Sequence, residues 1–449
     1  MSPPIAACQH TRLHLDVSAN TKQCGFKRPS KQQRIAAARL HDTPTAESLL
    51  TPIHLFDDLN TFPAPLVLPD DDLDIDPDWP PQSVKEWHDE EERNPVTPKR
   101  KTIYLVSPPS ISKEMAKMKD WISPQTTVAS TGSQQLKVAD LQKYISAFYH
   151  GMTVKILNKP FSWRQWHEDD AKKSKSYDGR LLRLNQHALI GLQTPQNTMV
   201  GIQCRLSPDE VAMQVNLDNV LDALAENVPS DAYAIMMLLD IDMYEGDDDV
   251  FTGGRAYGAS RIAVVSSFRD NPMHSYSSQS LLHRWPVSHS QRYVPSLCRG
   301  IAAGKTPPQP SSGAMKGALD AVVALPPKEP TAKGAYIEWL GRVAQTMAHE
   351  LGHCFGLDHC VYYACAMQGC ASSAEALRQP PYLCPVCLEK VATAIGGVLV
   401  KGWENHQVRQ RYIQNRYSAI RDSCQLWKEQ TVNAFWVGQR AWLDDIILP

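Results

Sequence analysis

Apolar residues recur at helical spacing between positions 337 and 351, and this pattern predicts the most regular helix of the chain. One face of that helix would be apolar throughout, so we expect it to be buried against a core. The residues of this face are Ile337, Leu340, Ala344, Met347 and Leu351. The opposite face carries His349 and His353, which are four residues apart and therefore stand one helical turn from each other.

Before this helix, short apolar runs alternate with helical patterns. We predict strands at 102–109, 152–157 and 232–241, helices at 141–151 and 217–229, and two strands with a glycine-rich joint within 250–269. The first strand, the first helix and the second strand would form one βαβ unit. Alternation of this kind predicts a fold of the α/β (α+β) class.

Three segments depart from this pattern. Residues 1–100 are rich in proline and polar residues and become acidic between 70 and 78, which predicts a disordered tail. Residues 270–334 contain many prolines and no clear strand or helix, which predicts a long loop insertion. Residues 397–449 combine helical spacing with several tryptophans, and we predict a helical extension that docks on the rest of the chain.

Composition and charge narrow the range of expected partners. The 449 residues include 46 basic and 48 acidic side chains, so the formal net charge of −2 favours neither nucleic acid nor a membrane surface. No apolar run is long enough to cross a membrane, and no signal-type segment follows the N-terminus. We therefore expect a monomer in the cytoplasm or the nucleus.

The segment HELGHCFGLDHC, residues 349–360, concentrates groups that bind metals. His349 and His353 can hold one Zn²⁺, and Glu350 is placed to accept a proton from water activated there. Gly356 can adopt the positive φ that ends a helix, which lets the chain return with His359 as a third ligand. Three protein ligands and an open fourth position are typical of a catalytic zinc site.

A second group of metal ligands follows at once. Six of the 11 cysteines lie between 354 and 387, and in a chain without an export signal such clustering favours metal ligation over disulfides. Cys360, Cys365, Cys384 and Cys387 would form a closed, structural zinc site. Cys370 could replace Cys365 as a ligand. A redox pair formed by the C-x-x-C of Cys384 and Cys387 is a further interpretation.

The run HELGHCFGLDHCVYYACAM, followed by CPVC, resembles the archaemetzincins, a branch of the metzincin metallopeptidases. The resemblance implies a metzincin-like domain over 101–396, with a twisted mixed sheet, an antiparallel edge strand and an active-site helix beneath it. It also implies two zinc ions per chain, one catalytic and one structural. By position it gives the ligand roles described above, Glu350 as the general base, and Met367 as the methionine under the catalytic metal.

Together these patterns predict a zinc-dependent peptidase that hydrolyses peptide or protein substrates. An extended substrate would pair with the glycine-bearing strand near 252–258. The alternative is a zinc-stabilised protein-interaction module of the same fold that has lost its activity. Two bound zinc ions without cleavage of a broad peptide library would favour this second hypothesis.

Overall fold

Two mixed β-sheets form the centre of the fold. They are seen in a computed structural model that describes residues 11–41, 49–122, 135–167, 176–180, 182–258, 261–272, 283–298, 309–326, 331–430 and 433–447. Within these residues the sheets contain five and six strands. Together with the helices that pack against them, they give the mixed α/β class that the sequence predicts.

The five-stranded sheet supports the predicted active helix. In spatial order its strands are β10 (Gly254–Tyr257), β11 (Ile262–Ser266), β8 (Ala232–Leu239), β1 (Thr102–Val106) and β3 (Thr153–Ile156). Strands β11, β8, β1 and β3 pair in parallel, whereas β10 pairs with β11 in antiparallel orientation at the edge. All eight residues of β8 are buried, as expected for the middle of a sheet covered on both faces.

The six-stranded sheet was not predicted. In spatial order its strands are β2 (Ser110–Ile111), β4 (Ser162–Arg164), β5 (His187–Gln193), β6 (Met199–Leu206), β7 (Met213–Asn216) and β9 (Asp242–Tyr244). Strands β5 and β6 form a hairpin around the polar turn 194–198. Two apolar runs on either side of a short polar turn are the signal that could have revealed it.

Helices surround both sheets. The α-helices of the first half are α1 (Thr21–Cys24), α2 (Lys31–Ala37), α3 (Asp72–Ile75), α4 (Val84–Asp89), α5 (Lys119–Ile122), α6 (Val138–Phe148) and α7 (Leu217–Ala225). Those of the second half are α8 (Tyr293–Leu297), α9 (Ala314–Val323), α10 (Ala332–Cys354), α11 (Ser373–Ala376), α12 (Pro385–Leu399), α13 (His406–Gln430) and α14 (Ala434–Ile446). No helix in the described part of the chain has the length and apolarity needed to cross a membrane.

The strands and helices predicted around the five-stranded sheet are confirmed. The βαβ unit consists of β1, α6 and β3, with β1 and β3 parallel. Helix α7 and strand β8 occupy the predicted ranges within a few residues, and 250–269 folds as the pair β10 and β11. The apolar pattern was sufficient here because the helices bury one continuous face and β8 is an unbroken apolar run that is buried on both faces.

The prediction of a disordered tail is wrong for residues 11–41 and 49–100. Buried side chains from this region, such as Phe56, Phe62 and Trp87, join the same hydrophobic core as Ile337 of α10. Asp71, within the acidic run, is buried and pairs with Arg378. The segment is rich in polar residues, but its scattered apolar side chains pack against the main domain. Residues 1–10 and 42–48 lie outside the described part.

The prediction of a long loop at 270–334 also needs correction. Its described residues contain a 3₁₀ turn at Val287–His289 and the helices α8 and α9. Helix α9 buries Ala314, Met315, Ala318, Leu319 and Val322 and packs against α14. The helical spacing of α9 depends largely on alanines and stands in a proline-rich segment, so it gave only a weak signal. Its partner α14 lies more than a hundred residues further along the chain. Residues 273–282, 299–308 and 327–330 lie outside the described part.

The C-terminal helices dock on the domain, as their tryptophans predicted. Trp436 and Trp442 are fully buried. Their indole nitrogens donate to the backbone oxygen of Ile337, at 3.1 Å, and to that of Thr61, at 3.1 Å. The last helix therefore contacts both α10 and the N-terminal region.

Helix α10 has the predicted apolar face, which is buried. Its N-cap is Thr331, whose hydroxyl accepts a hydrogen bond from the backbone nitrogen of Gly334 at 3.0 Å. It ends where Gly356 adopts a φ of +78°. The nitrogen of Leu357 then donates to the oxygen of Gly352 at 3.1 Å, a Schellman motif that turns the chain back.

We expect Trp87→Phe to lower the free energy of unfolding through a lost hydrogen bond. The indole nitrogen of Trp87 donates at 2.8 Å to the buried oxygen of Phe355, and an unpaired buried carbonyl costs about 1–3 kcal/mol. Denaturant unfolding of the full chain measures the change. Trp163→Phe is the matched control, since Trp163 is fully buried and its indole nitrogen has no partner among the described residues. Equal losses in the two variants would contradict this role of Trp87.

Candidate metal centres

Three histidine side chains converge at the C-terminal end of α10. His349 and His353 come from successive turns of the helix, and His359 comes from the loop that follows it. One ring nitrogen of each lies within 4.8 Å of the corresponding nitrogens of the others. All three can therefore contact a single ion, as their spacing in the sequence predicted.

Hydrogen bonds determine which ring nitrogens face the centre. The Nδ1 atom of His349 lies 2.7 Å from the oxygen of Ala366, and that of His353 lies 2.7 Å from the oxygen of Leu357. Because a carbonyl oxygen can only accept, both Nδ1 atoms carry the hydrogen. In the neutral rings the Nε2 atoms then present lone pairs to the centre.

The two Nε2 atoms lie 3.0 Å apart. Burial lowers the pKa of His349 to about 3 and the pKa values of His353 and His359 to about 4, so all three rings are neutral near pH 7. Two lone pairs at this distance repel each other unless a cation lies between them. The arrangement therefore fits a metal ion that prefers imidazole ligands.

Glu350 lies beside the histidines and faces the edge strand β10. Its carboxylate packs so closely on this strand that a Cβ atom added at Gly254 would lie 2.6 Å from Oε1. Burial raises the pKa of Glu350 to about 8, while Arg255 acts in the opposite direction. A divalent cation nearby would also favour the charged carboxylate. Glu350 is thus a buried acid or base that touches the strand beside the three histidines.

Side chains from distant parts of the chain hold the turn between His353 and His359. The carbonyl of residue 354 accepts a hydrogen bond from the hydroxyl of Tyr233 at 3.0 Å, and that of residue 355 accepts one from Trp87. The carbonyl of Gly356 accepts one from Nε2 of Gln82 at 3.1 Å. Backbone groups that every helix leaves without partners at its end are satisfied here from outside the helix.

Four buried cysteines form a second cluster directly behind the turn. One sulfur from each of Cys360, Cys365, Cys384 and Cys387 lies within 4.8 Å of the others, and none forms a disulfide. The sulfurs of Cys360 and Cys384 are 3.6 Å apart. Tetrahedral zinc with bonds of about 2.3 Å sets its sulfurs about 3.8 Å apart, whereas a disulfide bond needs about 2.05 Å. The cluster fits a closed four-thiolate site.

The geometry also distinguishes Cys365 from Cys370. The sulfur of Cys365 accepts hydrogen bonds from the backbone nitrogens of Met367, at 3.5 Å, and Cys384, at 3.3 Å. Such donors stabilise a thiolate. Cys370 is exposed and donates to the oxygen of Ser372 at 3.0 Å, away from the cluster. Cys365 is therefore the member of the four, and Cys370 is not.

Comparison with known proteins agrees with this arrangement. The model of Peptidase family M54 matches residues 317–393, which include the three histidines, Glu350 and the four cysteines. Mouse archaemetzincin-2 is 25% identical over 329 residues, which cover 72% of this chain and 67% of that protein. The chain is therefore similar to the archaemetzincins, a family of zinc metallopeptidases, over the segment that contains both clusters.

The similarity is partial for other archaemetzincins. Human archaemetzincin-2 is 26% identical over 215 residues, which cover 48% of this chain and 50% of that protein, so the chain matches about half of that relative's length. The crystal structure of archaemetzincin from Methanopyrus kandleri aligns over 67% of this chain and 98% of that chain, at 16% identity and a TM-score of 0.31.

The loop that contains Ala366 and Met367 contacts both clusters. The oxygen of Ala366 holds His349, and the next residue, Met367, packs its sulfur against Gly352 of α10. The backbone nitrogen of Cys360 donates to the oxygen of Met367 at 2.7 Å. Met367 therefore packs against α10 beside the three histidines.

Residues of the N-terminal region complete the site, and the sequence did not predict them. Gln82 and Trp87 hold the turn after α10, and Asp72 lies near His359. One local signal was available, because Ser83 and Glu86 form a capping box that begins α4. Gln82 and Trp87 act as single side chains on a segment some 270 residues away, and such contacts leave no periodic pattern in the sequence.

We expect Cys365→Ser to reduce the metal content of the purified chain by about one ion, since three sulfurs cannot close a four-thiolate site. Cys370→Ser is the control and should leave the metal content unchanged. Elemental analysis of both variants provides the measurement. Metal loss in the Cys370 variant but not in the Cys365 variant would show that the fourth ligand is misassigned.

Proposed function

We propose that this chain is a zinc-dependent peptidase, with His349, His353 and His359 as the ligands of a catalytic zinc ion. The observation that carries the proposal is the convergence of these neutral rings, with Glu350 beside them, under the edge strand β10. A zinc ion held there would supply Lewis-acid activation of water and of the substrate carbonyl.

Glu350 is the proposed general base. Its position one residue after His349 places the carboxylate at the side of the site, against Gly254. Such a buried carboxylate with a raised pKa can accept a proton from the attacking water and return it to the leaving amine. The carboxylate lacks a strong ion pair in the described structure that would prevent this exchange.

The substrate is proposed to bind along β10. This strand pairs with β11 on one side, and its other edge has no strand partner among the described residues. An extended peptide can add to such an edge through backbone hydrogen bonds. The glycines bring the strand close to α10, since a Cβ atom added at Gly258 would lie 2.5 Å from the oxygen of His353. We infer a metzincin-like catalytic domain from this relation of strand and helix.

The cysteine cluster is proposed to hold a second, structural zinc ion, giving two per chain. Four thiolates leave no open position for a substrate. Because Cys360 directly follows His359, an ion bound there would restrain the third histidine of the catalytic site through one peptide bond. A redox role for Cys384 and Cys387 would require both thiols to leave this cluster.

We expect Glu350→Gln to retain zinc and to lose peptide hydrolysis. Removing the base should lower kcat/KM by about 10²–10⁴-fold without changing the three histidines. The rate is followed on a peptide identified by digestion of an unbiased library, and zinc is measured by elemental analysis. Glu226→Gln, an exposed change at the C-cap of α7, serves as the control.

The same experiment separates the enzyme from an inactive interaction module. Chelator-sensitive cleavage by the native chain supports the peptidase, whereas two zinc ions without cleavage of any library peptide support the module. Substantial cleavage by the Glu350 variant would show that another group is the base.

We expect Gly254→Ala to reduce peptidase activity while zinc binding is retained. The added methyl group would force either the carboxylate of Glu350 or the strand to move, and displacements of about 1 Å at a catalytic group cost up to about 100-fold in rate. Gly253→Ala is a close control, because a Cβ atom at Gly253 meets nothing within 4 Å. Equal activity of the two variants would contradict the close approach of β10 to Glu350.

A further inference from the structure

The outer nitrogen of His359 differs from those of the other two histidines. The Nδ1 atoms of His349 and His353 donate to backbone oxygens, whereas Nδ1 of His359 is buried without a hydrogen-bond partner among the described residues. A histidine that binds a metal normally donates its other ring hydrogen to an oxygen, which fixes the orientation of the ring. The third histidine therefore needs an acceptor.

The carboxylate of Asp72 is placed to be that acceptor. Its Oδ2 atom lies 4.0 Å from Nδ1 of His359, and both atoms border Gly369. A Cβ atom at Gly369 would collide with Oδ2 of Asp72 and would lie 2.9 Å from Nδ1 of His359. The glycine thus provides the space in which the carboxylate and the ring meet. A direct hydrogen bond of about 3 Å requires the side chain of Asp72 to move by about 1 Å.

Buried contacts fix the backbone on both sides of this carboxylate. The nitrogen of Asp72 donates to Oε2 of Glu375 at 3.0 Å, and the same oxygen accepts a hydrogen bond from the nitrogen of Ala371 at 2.8 Å. The preceding residue, Asp71, forms a buried ion pair with Arg378. Asp72 is therefore held against the loop that contains Gly369.

A second residue of the same segment covers the face of the ring. Trp79 packs against His359 with ring centroids 5.4 Å apart and an angle of 38° between the rings. The segment 72–79 consequently contacts His359 at one edge and on one face. Both contacts leave the remaining nitrogen, Nε2, free to face the other two histidines.

We propose that Asp72 is a positioning residue, which accepts the Nδ1 hydrogen of His359 and orients this ring as the third metal ligand. The proposal rests on the proposed zinc site and extends it to a residue outside the HExxHxxGxxH motif. The negative charge of Asp72 would also make the ring a stronger ligand. The N-terminal region then belongs to the metal centre and does more than support the fold.

The test compares Asp72→Asn and Asp72→Ala with the native full-length chain. Zinc affinity is measured by competition with a chromophoric chelator, and Co²⁺ is used as a spectroscopic probe of the ligand geometry. Both changes are expected to weaken zinc binding by about 10–100-fold and to shift the visible Co²⁺ bands, with the larger effect for alanine. Asp76→Asn, an exposed neighbour with the same change in charge, is the control and should behave as the native chain.

The outcomes distinguish this proposal from the function on which it rests. Native affinity and an unchanged Co²⁺ spectrum in both Asp72 variants would overturn the positioning role and leave the zinc site intact. Unchanged zinc binding in a His359→Ala variant would overturn the site itself, and with it the role of Asp72. If Asp76→Asn weakened zinc binding as much as the Asp72 variants do, the effect would come from net charge, and the proposal would also be overturned.

Discussion

The reversal of the chain between residues 354 and 359 is the constraint on which both clusters depend. A helix end leaves backbone oxygens without partners, and here they are buried, so each must find a donor. Tyr233, Trp87 and Gln82 supply the three donors from a sheet strand and from the N-terminal region. The third histidine and the first cysteine follow directly, and their positions depend on how this turn is held.

The two clusters also share a polar connection through Gln82. Its Oε1 atom accepts from the nitrogen of Asp358, at 3.0 Å, and from Nζ of Lys390, at 2.6 Å. Lys390 is buried on α12, the helix whose N-cap is Cys384. Burial lowers the pKa of Lys390, while the nearby cysteines act in the opposite direction. A cation buried there would offset the negative charge of four thiolates around a metal ion. One amide therefore joins the turn before His359 to the helix behind the cysteines.

The sequence was informative where the structure is local. The apolar face of α10, the spacing of His349 and His353, and the parallel βαβ unit follow from periodicity, and the structure contains all of them. The sequence could not decide between Cys365 and Cys370, because the spacing of either cysteine from Cys360 allows a tetrahedral site. The N-terminal contacts could not be predicted, since Trp87 and Gln82 act as isolated side chains in a polar segment. The hairpin of β5 and β6, in contrast, has a local signal in the sequence, namely two apolar runs on either side of a short polar turn.

The hydrogen bonds from Gln82 and Trp87 span 274 and 268 residues of sequence. Contacts of such long range form only after most of the chain has been synthesised and collapsed, because closing the intervening segment costs entropy that local structure does not repay. The hydrogen bonds of the turn before His359 are therefore complete only once the N-terminal region has docked. A nascent or partly folded chain would carry the HExxH helix without the completed centre, so hydrolytic competence would arise only once the N-terminal region has docked.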